Sequence, residues 1–461
     1  MPRANCEVPG LIVKFGNYPL HHGGVGAIRS LGRLGVPMYA ICEDRYTPAA
    51  LSRYLRGAFV WPTTGTEDPE RLVEGLRRVG RRIGRPTLLI PTDEEAAVLV
   101  AEHQDELGDL FLFPRVDAGL PRRLASKQGL HELCGEHGVP SPAAAFPESY
   151  EDVVAFAEKA SFPLVAKNRE AFVRRRRPAV AGTTRIGNRA ALLALARDWG
   201  ERPGVILQEY LPRESAEDWI VHAYFDADST PLAMFTGVKV RSWPPHAGMT
   251  ANAYVVDNPE LSDLAARFIK QIGFAGIIDL DIRFDRRDGR YKLLDFNPRM
   301  GAQFRLFENE SGVDVVRAMH LDLTGRAVPE GEQRAGNRYV VENIDLPALL
   351  AYRRSGYTTP HAPVRASGTE LAWFARDDMR PFFTMLARFV RPGAKHLYQL
   401  WRTGRRSGAT GLDGPVGLAG PDGLAGPSGP SGPGGPARPG APSGPGDPAG
   451  PEDRPAPPPP G

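Results

Sequence analysis

The stretch between residues 276 and 299, GIIDLDIRFDRRDGRYKLLDFNPR, constrains the fold of this chain more than any other. Apolar and polar residues alternate on both sides of a polar centre, which is the period of half-buried β-strands. Asp288-Gly289 lies between the two halves and is a strong turn signal. The sequence therefore predicts two antiparallel strands joined as a hairpin.

Polar side chains at fixed positions of this hairpin indicate a cation site. Alternation places Asp279 and Asp281 on one face of the first strand, and Asp295 and Asn297 on one face of the second. Pairing can bring Asp281, Asp295 and Asn297 onto one surface. Two bare carboxylates about 4 Å apart repel by roughly 4 kcal/mol at an effective dielectric constant of about 20, and oxygen ligands of this kind suit Mg²⁺. The alternative is a solvated hairpin whose aspartates face water.

The same segment resembles the end of the ATP-grasp domain, whose pattern is an acidic residue, a hairpin and then Glu-x-Asn-Pro-Arg. The resemblance implies ATP and magnesium as cofactors, with two ions expected and Mn²⁺ as an alternative ion. Asp281, Asp295 and Asn297 match the ligands, and Arg299 resembles the arginine that holds a phosphate or the substrate carboxylate. Asp295 stands where the family more often has glutamate, so its shorter side chain can change which ion is bridged.

Two lysines upstream follow the order of the same family. Lys127 precedes a helix that ends at Gly-Val-Pro-Ser-Pro, and Lys167 ends the apolar strand FPLVAK. Either lysine alone is typical of a surface residue. Their order implies contacts with the α- or β-phosphate of ATP, because a lysine presents a compact cation.

The apolar strand VILQEYL implies the adenine site. Its end, at Glu209, Tyr210 and Leu211, matches the place where main-chain groups hold adenine in the family. An acidic residue for the ribose hydroxyls should follow. Asp218 is the candidate because the strand WIVHAYF runs from it, and Glu217 is the alternate.

Lys239 and Arg241 share one face of the strand AMFTGVKVR, which the resemblance places beside the triphosphate. Either cation could steady the transferred phosphoryl group, and the alternative is a solvated strand face. A second departure from the family follows Lys167, where the basic run Arg174–Arg177 replaces the usual glycine- and serine-rich loop. The run could cover the phosphates, recruit an acidic substrate or form a mobile solvated loop.

The order of the predicted elements gives an α/β and α+β fold. Residues 1–115 alternate strands and helices, which favours a parallel sheet and a Rossmann-like pre-ATP-grasp domain. Residues 116–330 carry the matching order of motifs and are predicted to form a two-lobed ATP-grasp domain. Residues 331–402 show helical patterns and are predicted as a C-terminal helical appendage.

Gly24-x-Gly26 follows the first predicted strand and raises the alternative of a dinucleotide site. The third position of the G-x-G-x-x-G pattern holds Arg29, and the acidic follow-up is misplaced. The sequence therefore favours a tight turn that lets the next helix pack on the sheet. An NAD-dependent enzyme that uses this domain is the rival from another class.

The Gly/Pro-rich tail, residues 403–461, differs from the rest of the chain. Glycine recurs every third residue from Gly408 to Gly435, a period that is collagen-like in form. The tail has almost no apolar side chains to bury, so we predict that it is disordered. A triple helix, which would make the full-length protein trimeric, is the alternative.

Composition limits the partners and the location. The 461 residues have a formal net charge of +3 and 24% charged side chains, a balance that gives no case for nucleic acid or a membrane surface as partner. The three cysteines are scattered, which favours a reducing, cytoplasmic location. Neither a run of about 18 apolar residues nor a signal-peptide pattern is found. The expected partners are small-molecule substrates, and a homo-oligomer is compatible with the sequence.

Together with the resemblance, these residues imply an ATP- and magnesium-dependent carboxylate–amine ligase. Such an enzyme forms an acyl phosphate, then an amide bond, and releases ADP and phosphate. The alternatives are another ATP-grasp enzyme, whether a carboxylase, thiol ligase or kinase, and a non-catalytic ATP-binding module. Nothing resembles a biotin-handling segment, which counts against a carboxylase.

Overall fold

The computed structural model describes residues 3–169, 179–180, 183–212, 215–245, 248–355 and 365–389. Within these ranges the chain forms three sheets of five, four and seven strands, so the predicted mixture of α/β and α+β structure is observed. No helix in the described part of the chain is long and apolar enough to cross a membrane. The run Arg174–Arg177 and the tail 403–461 lie outside the described residues.

The five-stranded sheet belongs to the N-terminal part of the chain, and all of its strands are parallel. Parallel pairing is what the predicted βαβ unit requires. The more specific assignment of residues 1–115 as a Rossmann-like pre-ATP-grasp domain stays a prediction. The elements are β1 (Gly10–Val13), α1 (His22–Gly32), β2 (Met38–Cys42), a 3₁₀ turn (Ala49–Leu51), β3 (Leu55–Val60), α2 (Pro69–Ile83), β4 (Thr87–Pro91), α3 (Glu94–Glu102), α4 (Gln104–Leu107) and β5 (Phe111–Leu112), with the sheet order β3-β2-β1-β4-β5.

The glycines at the start of α1 allow the helix to approach other backbone closely. A Cβ at Gly23 would lie 2.7 Å from the Cα of Ala302, and a Cβ at Gly26 would lie 2.9 Å from the Cγ of Arg305. The close contact is therefore with the segment that follows the predicted hairpin, in addition to the sheet. Gly26 of the Gly-x-Gly pattern therefore packs on this segment, and the tight turn against the sheet stays a prediction.

Two short helices lead from the parallel sheet into a four-stranded antiparallel sheet. Ser126 caps the second of these helices by accepting a hydrogen bond from the main chain of Gly129, so Lys127 is its first residue. The elements are α5 (Leu120–Ala125), α6 (Lys127–Glu136), β6 (Ala144–Ala145), α7 (Tyr150–Lys159), β7 (Leu164–Asn168), β8 (Thr184–Ile186), α8 (Arg189–Ala196) and β9 (Val205–Glu209), with the sheet order β6-β9-β7-β8.

The seven-stranded sheet contains the predicted hairpin. Its neighbouring strands are antiparallel except for the last pair, which is parallel. The elements are β10 (Ala216–Phe225), β11 (Pro231–Trp243), β12 (Met249–Val255), α9 (Pro259–Ile272), β13 (Gly276–Asp285), β14 (Arg290–Asn297), a 3₁₀ turn (Phe304–Leu306), α10 (Val315–Leu323), β15 (Asn337–Val340), α11 (Glu342–Ser355) and β16 (Gly368–Leu371), with the sheet order β14-β13-β10-β11-β12-β15-β16.

The two faces of this sheet have different environments because side chains alternate along each strand. One face is apolar and packs on α9, α5 and α6, with Ile278, Leu280 and Ile282 of β13 buried in that cluster. The other face packs on α10 and α1 at one end, where Ile277 is buried. Further along β13, this second face carries Asp279 and Asp281. The period of the strand therefore directs the acidic side chains away from the apolar core.

Residues 331–389 are only partly helical. They contain α11 and the helical residues 380–389, and they also add β15 and β16 to the edge of the seven-stranded sheet. The patterns that predicted a helical appendage do not indicate these four-residue strands. The boundaries of the four predicted domains stay predictions.

The end of the described chain is attached to the N-terminal sheet by a buried ion pair. Asp378 accepts hydrogen bonds from Arg29 Nε at 3.0 Å, Ser52 Oγ at 2.7 Å and the main chain of Arg53 at 2.9 Å. The side chains of Arg29 and Asp378 are almost fully buried. Asp377, the residue before Asp378, forms an ion pair with Arg33 at the protein surface, where the Asp377 side chain is 42% exposed.

We expect Asp378→Ala to lower the free energy of unfolding by about 3–5 kcal/mol, because it leaves Arg29 buried without its carboxylate. Asp377→Ala is the matched control and should cost about 1 kcal/mol or less, since its ion pair with Arg33 is exposed to water. Urea unfolding followed by circular dichroism measures both values. An equal loss of unfolding free energy in the two variants would show that the buried pair of Arg29 and Asp378 stabilises the protein no more than the exposed one.

Candidate functional site

The hairpin of β13 and β14 brings the three predicted metal ligands to one face of the seven-stranded sheet. Asp281 lies opposite Asp295, and Asp279 lies opposite Asn297. Opposite residues of an antiparallel pair share a face, as do residues two apart on one strand. Asp281, Asp295 and Asn297 are therefore neighbours, as the sequence predicts, and their role as ligands stays a prediction.

Two carboxylates of the hairpin, those of Asp281 and Asp295, are each paired with a lysine from another element. Lys239 of β11 places Nζ 2.5 Å from Asp281 Oδ1, and Lys127 at the start of α6 contacts Asp295 Oδ1. The lysine side chains are 11–12% exposed, whereas those of the aspartates are about one-third exposed. The two cations balance two negative charges that would otherwise repel each other.

The environments of the two carboxylates differ. Burial raises the pKa of Asp281, against the effect of Lys239. Burial would also raise the pKa of Asp295, but the charges of Lys127 and Lys167 lower it below its ordinary value. Asp295 has three cations nearby, those of Lys127, Lys167 and Arg299, whereas Asp281 has Lys239 and the carboxylates of Asp279 and Asp295.

Lys127 and Lys167 line one small pocket between the four-stranded sheet and the hairpin. Lys167 comes from β7 and Lys127 from α6, as their order in the sequence predicts. Burial, followed by the charge of Lys127, lowers the pKa of Lys167 to about 8. The apolar part of the pocket is formed by Leu130, Ile206, Leu293 and Leu294.

The predicted adenine hinge lies at the end of β9. Glu209 accepts a hydrogen bond from Arg287 Nη2 at 2.6 Å, so its side chain is joined to the turn of the hairpin. The guanidinium of Arg185 lies 4.5 Å from the centre of the Tyr210 ring, and Leu211 is buried. The main-chain role of these residues stays a prediction.

Both candidates for the ribose site are engaged in ion pairs with β13 or the turn that follows it. Asp218 lies 2.6 Å from Arg283, and Glu217 lies 2.5 Å from Arg286. Asp218 is on the face of the sheet that carries Asp281, because Asp218 pairs with Arg283 and Ile220 with Asp281. Glu217 is on the other face of β10. The geometry therefore favours Asp218 of the two.

The remaining predicted cations separate into different places. Arg241 forms a bidentate ion pair with Asp345 of α11, with hydrogen bonds of 2.8 and 3.0 Å. The structure therefore does not bring Arg241 to the hairpin carboxylates. Lys239 does reach them. Arg299 contacts Asp279 at 3.2 Å and Glu94 of α3 at 2.5 Å, so it joins the hairpin to the N-terminal sheet.

The sequence assigned no role to Asp279 and His222, two buried residues next to the site. Asp279 is 4% exposed, and its Oδ1 lies 2.8 Å from Nε2 of the buried His222. Burial would raise the pKa of Asp279, but the neighbouring His222 and Arg299 lower it to about 2. The alternation of β13 placed Asp279 on the face of Asp281. His222 had no comparable signal, because it lies within an otherwise apolar strand.

A divalent cation would have to be held by a mixed set of oxygens. Among the described residues, no three His, Cys, Asp or Glu side chains form a cluster of the kind that holds a metal ion by itself. The hairpin instead offers two carboxylates and the amide of Asn297. Such a set suits Mg²⁺, which takes one or two carboxylates and completes its shell with water and substrate phosphates.

Comparison with known proteins gives relatives by sequence and by structure. No family model matches the chain. A D-aspartate ligase of Enterococcus faecium (strain Aus0004) is 25% identical over 296 residues, which cover 60% of this chain and 68% of that protein. The L-amino acid ligase of Bacillus licheniformis superposes with a TM-score of 0.53 at 16% identity, covering 73% of this chain and 79% of that one.

The biotin carboxylase domain of a 2-oxoglutarate carboxylase from Hydrogenobacter thermophilus, solved with magnesium ADP and bicarbonate, also has a TM-score of 0.53. It is 15% identical, and the match covers 72% of this chain and 73% of that one. The two structures show the fold. The sequence relative, which is a ligase, confirms the resemblance to ATP-grasp carboxylate–amine ligases and the prediction of a ligase that forms C–N bonds.

We expect the affinity for ATP to fall as the pH rises through about 8, the pKa of Lys167. Its amine is positively charged below that pH and neutral above it, and phosphates favour the charged form. Above the pKa, binding should therefore be accompanied by proton uptake. Calorimetric titration in buffers of different ionisation enthalpy measures this uptake.

Lys167→Arg is the matched variant for this prediction, because arginine stays charged at every pH of the experiment. It should retain binding at high pH and lose the proton uptake. Proton uptake of the same size in the arginine variant would show that another group titrates.

Proposed function

We propose that this ATP-grasp enzyme is a magnesium-dependent carboxylate–amine ligase that activates an acid as an acyl phosphate and then joins it to an amine. The observation that supports the proposal is the arrangement of Asp281, Asp295 and Asn297 on one face, with Lys127 and Lys239 paired to the carboxylates. Together these residues offer oxygen ligands for a divalent cation and cations for the phosphates of a bound nucleotide.

Mg²⁺ and ATP fit the residues present. Asp281, Asp295 and Asn297 would hold magnesium, and two ions are proposed, with Mn²⁺ as an alternative. Bound magnesium supplies charge neutralisation on the phosphates and orients them for in-line transfer. Lys127 and Lys167 would contact the α- or β-phosphate from their common pocket.

The base and the sugar of the nucleotide would lie beside the same pocket. Main-chain groups at Glu209, Tyr210 and Leu211 are proposed to hold adenine, since β9 pairs directly with the strand of Lys167. Asp218 is proposed to bind the ribose hydroxyls. It would then give up its ion pair with Arg283 to contact the ligand.

The proposed reaction depends on positioning and charge. The substrate carboxylate attacks the γ-phosphorus, the bond to the β-phosphate oxygen breaks, and ADP leaves. Lys239 lies where it can balance charge on the transferred phosphoryl group, because it already contacts Asp281. The amine then attacks the acyl carbon, phosphate leaves with the bonding electrons, and the amine nitrogen loses a proton.

Amino acids are the proposed substrates. The names of two relatives, a D-aspartate ligase and an L-amino acid ligase, support a small carboxylate and a small amine as the reacting partners. A homo-oligomer and a cytoplasmic location stay predictions.

We expect Asp295→Asn to reduce ATP-dependent phosphate release by about 100-fold, the effect of losing about 3 kcal/mol of transition-state stabilisation. The assay uses a panel of amino acids as acid and amine, with mass spectrometry of the products. Asp263→Asn is the control, since Asp263 is exposed on α9, which packs on the opposite face of the sheet. Normal turnover in Asp295→Asn would exclude the proposed function.

A further inference from the structure

The guanidinium of Arg299 has all of its hydrogen-bond donors engaged within the protein. Nε and Nη2 donate to Glu94 Oε1 at 3.1 and 2.5 Å, and Nη2 also donates to Asn297 Oδ1 at 3.1 Å. Nη1 donates to Asp279 Oδ2 and to the main-chain oxygen of Met300, both at 3.2 Å. A guanidinium has five N–H groups, so these contacts account for every one.

The amide of Asn297 is held from both sides. Its Nδ2 donates to the main-chain oxygen of Asp279 at 3.1 Å and to Asp279 Oδ2 at 3.3 Å. Its Oδ1 accepts from Arg299, which leaves a second lone pair for a cation. A reversed amide would face Arg299 with N–H groups and Asp279 with an oxygen, so only one orientation satisfies both neighbours.

Asp279 is the point at which these contacts meet. Besides Asn297 and Arg299, it lies 2.8 Å from His222 Nε2 and accepts from Gln303 Nε2 at 3.3 Å. The chain after β14 passes directly over it, since a Cβ at Gly301 would lie 2.6 Å from the Asp279 carboxyl carbon. The carboxylate is therefore enclosed and fixed, with little contact with water.

We infer that Asp279 is a positioning residue, which orients the Asn297 amide oxygen toward the cation and holds Arg299 between the hairpin and Glu94. The inference rests on the proposed function, because it assigns a task at the same metal site. Arg299 then acts on the metal site through Asn297. Metal-site neighbours of this kind typically change metal affinity or activity by roughly 10–100-fold when they are replaced.

The first test compares metal and nucleotide binding in Asp279→Asn. The apparent Kd for Mn²⁺, followed by electron paramagnetic resonance with a non-hydrolysable ATP analogue, should rise by roughly 10–100-fold. The Kd for the same analogue in EDTA should not change, since Asp279 does not touch the nucleotide pocket. Damage to the fold would weaken the binding of both Mn²⁺ and the analogue. A rise in the Kd for Mn²⁺ with an unchanged Kd for the analogue in EDTA is therefore specific for positioning.

Asp314→Asn is the matched control. Asp314 is also a fully buried carboxylate paired with an arginine, Arg305, at 2.6 Å, but it caps α10 and contacts no residue of the hairpin. Its replacement should lower stability and leave the Kd for Mn²⁺ as in the wild type.

Arg299→Lys tests the same inference if Asp279→Asn does not fold. Lysine keeps the charge but cannot reach Glu94, Asp279 and Asn297 together, so the Kd for Mn²⁺ should rise while analogue binding in EDTA stays the same. A loss of analogue binding in EDTA would mean that Arg299 contacts the nucleotide, which overturns the inference.

The outcomes separate the inference from the proposed function. Wild-type Mn²⁺ affinity in both Asp279→Asn and Arg299→Lys overturns the inference and leaves the ligase proposal standing. Failure of the wild-type protein to bind Mn²⁺ with the ATP analogue overturns both.

Discussion

The pairing of two hairpin carboxylates with two lysines is the interaction on which the site depends. Asp281 and Asp295 lie opposite each other, and each would lose hydration without compensation if its lysine were absent. The lysines come from β11 and from α6, so the charge balance requires that the sheet and the helix before it pack together. The fold thus brings together cations and carboxylates that are distant in the sequence. Lys127 and Asp295, for example, are 168 residues apart.

These same ion pairs define what a ligand must bring. A magnesium polyphosphate carries positive charge for the carboxylates and negative charge for the lysines, so it can replace both pairs at once. Neither half of such a ligand alone satisfies the site, because it would leave like charges together. Burial, and then the charge of Lys127, lower the pKa of Lys167, and a bound anion would favour its charged form.

The sequence predicted what depends on local pattern. Alternation and the Asp-Gly turn gave the hairpin and the face on which Asp281, Asp295 and Asn297 lie, and the apolar strands placed Lys167 and Glu209 at strand ends. The partners of these residues depend on tertiary contacts. Arg241 shares the strand of Lys239, yet it pairs with Asp345, 104 residues later, on a helix whose sequence carries no motif.

The N-terminal sheet contributes to the site through a continuous series of hydrogen bonds. The order of its strands reverses between β1 and β4, the place where open α/β sheets commonly bind ligands. Asp93, just after β4, accepts from the main chain of Phe15 and Gly16 at the end of β1 and also caps α3. This fixes the neighbouring Glu94, which holds Arg299 and through it the hairpin. A displacement of α3 would therefore reach Asn297 by way of Arg299, which couples the parallel sheet to the hairpin face that carries Asn297.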